Sequence, residues 1–146
     1  RPPVFEVAYE TTFCATHVLH HDGKPIRMGA YGDPVAIPWI AWTGLHLASK
    51  WTGYTHQWRR LDAAPFRNVL MASCDGPAEA AQAARAGWRT FLVRPVGQKD
   101  PVAGAIECPS NRGTQCRDCG LCSGQQKFQA PSIWIEAHGP AARAFA

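Results

Sequence analysis

The segment from Val69 to Arg94 reads VLMASCDGPAEAAQAARAGWRTFLVR, and its three parts decide the fold class. Val69 to Cys74 is a short, apolar run bounded by turn residues, the pattern of a buried strand. Asp75-Gly76-Pro77 then opens a helix, with a capping residue and a first-turn proline whose missing amide hydrogen costs nothing there. AEAAQAARA is strong helix-forming sequence, and Gly87 closes it. Arg89 to Arg94, RTFLVR, returns to strand. Strand, helix, strand at this compact spacing predicts an α/β fold with a mainly parallel sheet.

The same rhythm continues on both sides. Ile26 to Gly29 reads as a short strand end running into Ala30-Tyr31-Gly32-Asp33-Pro34. Pro38 opens a predicted helix that runs to about Lys50. Ile37, Ile40, Gly44, Leu47 and Trp51 form one stripe of it, widened by Ala41, Leu45 and Ala48. Trp51 to Trp58 fits either strand or loop. Ala105 to Glu107 and Ser132 to Ala137 (SIWIEA) are two further strands. Five or six strands are too few for an eight-stranded barrel of about 250 residues, so mainly parallel βα repeats in a partial barrel or open curved sheet are expected. Polar residues lie just past the strand ends, the edge where parallel α/β folds build their sites.

The 146 residues, 46% apolar with a formal charge of +4, fit one folded domain over 1–146. Residues 1–25 carry no clear assignment, and residues 105–125 form a cysteine-rich loop. Basic residues are scattered apart from Arg59-Arg60, which is thin support for nucleic-acid binding. No run of eighteen apolar residues occurs, so no membrane span is expected. The sequence starts Arg1-Pro2-Pro3 without a signal-peptide pattern, the expectation being a processed or partial chain. Six cysteines in a chain of this size fit a reducing cytoplasm.

Four of those cysteines are Cys108-x7-Cys116-x2-Cys119-x2-Cys122, within fifteen residues. Four soft sulfur ligands at this spacing suit one metal ion or one iron–sulfur cluster better than a disulfide knot, which belongs to small secreted chains. The Cys-x2-Cys-x2-Cys steps and Pro109 after Cys108 favour a [4Fe-4S] cluster. Zinc is the alternative, because Cys119-Gly120 has the form of a zinc knuckle.

Other groups carry chemistry with an ordinary structural reading beside it. In Arg27-x-Gly29-x2-Gly32-Asp33-Pro34, Arg27 offers a fork for a carboxylate or phosphate and Asp33 a carboxylate; a strand-to-helix turn explains the same residues. In Thr52 to Trp58, strand alternation places Tyr54 and His56 on one face for proton transfer; a packed edge strand is the plain alternative. Asp75 follows a predicted strand, and Glu136 and His138 follow another as acid–base partners or a surface pair. His17, His20 and His21 are a weak zinc signal. Cys14 and Cys74 stand apart, Cys74 as a buried thiol. The six tryptophans fill core or line a pocket mouth.

The blocks RMGAYGDP, WTGYTHQWR, VLMASCD, GWRTFLV and CP…CxxCGLCxG followed by SIWIEAHG, in order from Ile26 to Gly139, resemble an uncharacterised family encoded by bacteriophages and plasmids. In βα rhythm and cysteine usage that family is similar to radical-SAM-like iron–sulfur barrel proteins. The radical-SAM signature Cys-x3-Cys-x2-Cys is absent here. The resemblance implies Cys108, Cys116, Cys119 and Cys122 as ligands, with Arg27, Asp33, Tyr54, His56, Asp75 and His138 around a pocket in a bacterial host cytoplasm. It leaves three readings open. One is an iron–sulfur enzyme on a polar or nucleotide-like substrate, with Asp33, Tyr54 and His56 catalytic and Arg27, Asp75 and His138 binding substrate. The second is a structural-zinc module for nucleic acid or for a phage or host protein. The third is a virion-associated structural protein.

Overall fold

The computed structural model describes residues 25–29, 32–126, 130–139 and 142. The expectations placed on Cys14, His17, His20 and His21 lie outside the described residues. Strands β1 (Ile26–Arg27) and β2 (Trp51–Thr52) pair as a small sheet. A second sheet holds β3 (Tyr54–Thr55), β4 (Met71–Cys74), β5 (Thr90–Arg94), β6 (Ala105–Glu107) and β7 (Ser132–Glu136), in the order β3-β4-β5-β7-β6. Pairing is parallel throughout both sheets. The larger sheet is open, with β3 and β6 at its edges, so the described strands close no barrel.

β4 is buried along its whole length, as the apolar run requires. The helix that follows, α1 (Pro77–Arg85), starts at N-cap Gly76 rather than at Asp75. Glu79, in the first turn, reaches back so that its Oε2 accepts from the Asp75 backbone amide, one residue before the cap, at 2.7 Å. Gly87 closes the helix at φ +82, a conformation that a Cβ would strain.

Residue alternation along the strands gives the sheet two differently covered faces. Ala72, Cys74, Leu92 and Trp134 join Ala83 of α1 in one core cluster. Met71, Phe91, Ile133 and Ile135 form the other, with Cys108, Leu121 and Cys122 packed into it. The strand order explains the division. The chain moves one way across the sheet from β4 to β5 and the opposite way from β6 back to β7. Right-handed crossovers in opposite directions fall on opposite faces. The α1 crossover therefore covers one face, and the segment between β6 and β7, which carries the cysteines, covers the other.

Two expectations change. The stretch opened by Pro38 is a 3-10 helix over Trp39–Leu47, not an α-helix. Trp39, Ile40, Trp42, Thr43 and Gly44 are poor α-formers; of the expected stripe and its widening, Ala41, Gly44 and Leu45 are buried while Ile40 is 58% exposed. Trp51 to Trp58 resolves into β2 and β3 with a break at Gly53. A Cβ there would stand 2.6 Å from Leu70 Cδ2 and 2.9 Å from Met28 Cβ. A 3-10 helix over Leu61–Asn68, burying Ala63 and Phe66, completes the core beneath it. Among the described residues, no helix is long and apolar enough to cross a membrane.

Candidate functional site

The crossover from β6 to β7 brings its four cysteines to one place. Cys108 is buried at the end of β6, where its amide donates to the Trp134 carbonyl at 2.8 Å and prolongs the strand ladder. Its Sγ lies 3.1 Å from Ser110 Oγ. A 3-10 turn over Pro109–Arg112 ends at Gly113, φ +87. A single helical turn, α2 (Cys116–Cys119), presents exposed Cys116 and half-buried Cys119, and ends at Gly120 with φ +65. Cys122 follows, half-buried, its carbonyl accepting from Gly53 N at 2.9 Å.

Cys108, Cys116, Cys119 and Cys122 line one pocket, together with Thr52, Leu121 and Ile133. Its enclosed part is about 20 Å³, room for about one water. The sequence spacing thus foresaw a real convergence of thiols. It does not extend to a formed metal sphere: among the described residues no group of three His, Cys, Asp or Glu side chains could hold a metal ion as it stands. The described cysteines are free thiols, without disulfides among them.

The electrostatics of the pocket are those of crowded sulfurs. Burial, and then the neighbouring Cys108, Cys116 and Cys119, push the Cys122 thiol up to about 12, with Arg89 opposing. Cys122 is therefore protonated at neutral pH, and a bound cation must displace that proton. Arg89, at the entry to β5, is buried. Its Nη1 donates to the carbonyls of Leu121 at 3.0 Å and Gly124 at 2.6 Å, and its Nη2 to Pro131 at 2.6 Å. One guanidinium thus holds both sides of Cys122. Burial lowers its pKa, which the Cys122 sulfur offsets.

The other expected site residues divide. Tyr54 stacks on Phe91, centroids 4.7 Å apart, with the Arg27 guanidinium 6.0 Å from its ring. Its phenol is raised by burial and by Cys122, Cys116 and Cys108, against Arg27. Tyr54 packs in one cluster with Cys108 and Cys122, and Arg27 shares a groove with Cys116; neither lines the cysteine pocket itself. Asp33 accepts from Thr55 Oγ1 at 2.7 Å, from His56 N at 3.0 Å and from Val35 N at 3.0 Å. It ties a turn to the end of β3, and does not pair with Arg27. His56 lies beyond β3 and is exposed, so it shares no strand face with Tyr54; the strand stops at Thr55, where Asp33 takes over the hydrogen bonding. Asp75 is exposed beside Glu79, whose carboxyl is held low by the Asp75 amide and by Arg59 at 2.6 Å. His138 is exposed past β7, and Glu136 instead faces Lys99 at 3.8 Å.

The cysteine pocket therefore sits on a face of the sheet, and not at the edge formed by the strand ends. Sequence reading missed Arg89, whose only signal is a charged residue directly against the apolar run TFLV, and Gly53. Comparison with protein-family models, with curated proteins and with solved structures found no match to this chain.

Proposed function

We propose that the four-cysteine loop is a cofactor site for an iron–sulfur cluster, and that the protein uses it on a polar substrate. The observation that carries this reading is the convergence of Cys108, Cys116, Cys119 and Cys122 on one pocket. The donor set fits the group: four soft sulfurs, a carbonyl-anchored loop, and a neighbouring guanidinium that offsets thiolate charge. A single zinc needs all its ligands about 2.0–2.3 Å from one point. The short Cys-x2-Cys-x2-Cys steps are the reason for preferring a cluster to a single zinc.

When bound, the cluster would supply one-electron chemistry. The chain's own residues do the rest. Tyr54, a phenol whose pKa is raised by burial, packs in the same cluster as Cys108 and Cys122 and is the proton-donor candidate next to the pocket. Arg27, over the Tyr54 ring, supplies a fixed positive charge for a substrate anion. Asp33 acts by holding the end of β3, which sets where Tyr54 stands.

The test is anaerobic purification after iron and sulfide supply, with a visible spectrum and metal analysis on wild type and Cys119→Ala. A brown protein with about four irons per chain, both lost in the variant, is the expected result. A colourless protein holding about one zinc overturns the cluster. The structural-zinc module then takes its place, followed up by nucleic-acid binding at two salt concentrations and by copurification with phage particles.

A further inference from the structure

Two grooves meet at Trp51. One is lined by Trp39, Trp42, Trp51, His46 and Asn68 and encloses about 400 Å³, within the range of about 300–1,000 Å³ usual for small-molecule sites. Its tryptophans are fixed by the fold. Trp42 Nε1 donates to the Pro34 carbonyl and Trp51 Nε1 to the Val69 carbonyl, both at 3.2 Å. Trp39 meets Phe66 edge-on at 5.1 Å. With the polar atoms of Trp42 and Trp51 turned to the backbone, these two indoles offer ring surface. His46 Nδ1 lies 2.7 Å from the Thr43 carbonyl and donates to it, which fixes the ring at the groove. Among the described residues, no lysine, arginine or carboxylate lines this groove. Such a lining suits a flat, uncharged ring with hydrogen-bonding edges.

The other groove is the electrostatic opposite. Arg27, Lys50 and Arg117 line it beside Trp51 and Cys116, around about 170 Å³. Lys50 Nζ donates to the Asp118 carbonyl at 3.1 Å, and Arg117 Nε lies 3.8 Å from the Asp118 carboxylate. Among the described residues, one carboxylate against three cations leaves excess positive charge, suited to an anion.

We propose that a nucleoside monophosphate binds across Trp51, its base against the indoles and its phosphate against Arg27, Lys50 and Arg117. A nucleotide combines a neutral planar ring with an adjacent anion, which is the pairing that these grooves present. The phosphate then lies beside Cys116. This names the substrate class of the cysteine site and rests on that reading only for what is done to the ligand; binding itself needs no cluster.

The experiment titrates the full chain with adenosine, guanosine, cytidine and uridine, with their 5′-monophosphates and with inorganic phosphate, by calorimetry and tryptophan fluorescence. At least one monophosphate binds about tenfold or more tightly than both its nucleoside and phosphate alone, and quenches fluorescence saturably. Arg117→Gln, on an exposed side chain, weakens that monophosphate several-fold and leaves the nucleoside unchanged. Trp42→Leu weakens both, with thermal unfolding as the folding control. Absence of saturable binding by all monophosphates overturns the proposal, as does unchanged monophosphate binding in Arg117→Gln. So does a short oligonucleotide that binds more than tenfold tighter than its own mononucleotide, which marks a single-strand site instead. Repeating the titration on Cys119→Ala separates the two readings. Retained binding without bound metal leaves the nucleotide site standing if the cluster fails, and a cluster without nucleotide binding ends this proposal alone.

Discussion

Arg89 Nη1 and the Leu121 carbonyl oxygen, 3.0 Å apart, join the start of a central strand to the loop that carries the cysteines. The same guanidinium reaches Gly124 and Pro131, so a single buried side chain satisfies three carbonyls that the crossover leaves without strand partners. The loop thereby takes the place that a helix fills in an ordinary parallel crossover, with side-chain bonds doing what helical bonds would do.

Replacing Arg89 by methionine leaves those carbonyls buried and unpaired. We expect a loss of about 3 kcal/mol of unfolding free energy by urea titration, from hydrogen bonds to a charged donor worth about 1.5–3 kcal/mol each, partly recovered by relaxation. Arg89→Lys recovers little, because an ammonium cannot span three fixed acceptors. A loss below about 1 kcal/mol in Arg89→Met would show that the loop is held by other contacts.

Two left-handed glycines in the crossover should respond differently to alanine. Gly124 has φ +67, and a Cβ there would stand 2.5 Å from Val69 N and 2.7 Å from the Arg67 carbonyl. Gly113 has φ +87 with nothing within 4 Å. Gly113→Ala costs about 1–2 kcal/mol, the backbone strain alone. Gly124→Ala adds a backbone clash and costs clearly more, enough to lower the melting temperature of this 146-residue chain by several degrees beyond the Gly113 variant. Equal shifts in the two variants would contradict the packing of Gly124 on the Arg67–Val69 backbone.

Asp33 was expected to take part in catalysis, and its surroundings make a stability test informative. Its carboxylate caps the turn at Val35 and holds Thr55 and His56. Asp33→Ala should cost about 2 kcal/mol through the lost cap and the stranded donors. Asp33→Asn keeps one acceptor oxygen and should cost about half as much. If Asp33→Ala unfolds at the same denaturant concentration as wild type, this structural role is wrong.

Cys74 gives a pH test away from the cysteine loop. It is fully buried, and burial first, then Glu79 and Asp75 against Arg59, push its thiol from 9.0 up to about 12. The folded state therefore holds this proton more tightly than the unfolded chain. That contribution is complete below pH 9.0 and is lost as pH rises towards about 12. Stability of wild type relative to Cys74→Ala, measured by denaturation at pH 8, 9.5 and 11, should decline across this window. A difference that stays flat with pH would mean that Cys74 ionises as easily in the fold as outside it.

The strands at Met71–Cys74, Thr90–Arg94, Ala105–Glu107 and Ser132–Glu136, the helix at AEAAQAARA and the gathering of four cysteines were legible in the chain, because each rests on local pattern: apolar runs, helix-forming runs, and ligands too close in sequence to separate far in space; β2 and β3, within Trp51 to Trp58, were not separable from loop. The stretch after Pro38 was legible as helical but not as 3-10, since apolar spacing alone does not separate the two windings and this run of indoles, Thr43 and Gly44 gives the α-helix little support. The pairing of His56 with Tyr54 failed for a similar reason: alternation places residues only while a strand lasts, and Asp33, some twenty positions away, ends β3 at Thr55.

The sequence by itself determined that the strands run parallel with a helical crossover, and that four thiols share one loop. Tertiary structure alone decided where that loop lies. β7 inserts between β5 and β6, so the last crossover runs backwards across the sheet, and its handedness sends the cysteines to the face opposite α1. That placement buries Arg89 beneath Cys122, sets Tyr54 and Arg27 beside the sulfurs, and makes Trp51 the wall between an aromatic groove and a cationic one. None of these partners is a sequence neighbour of the group it serves, and strand order, which brings them together, is a property of long-range pairing and not of local pattern.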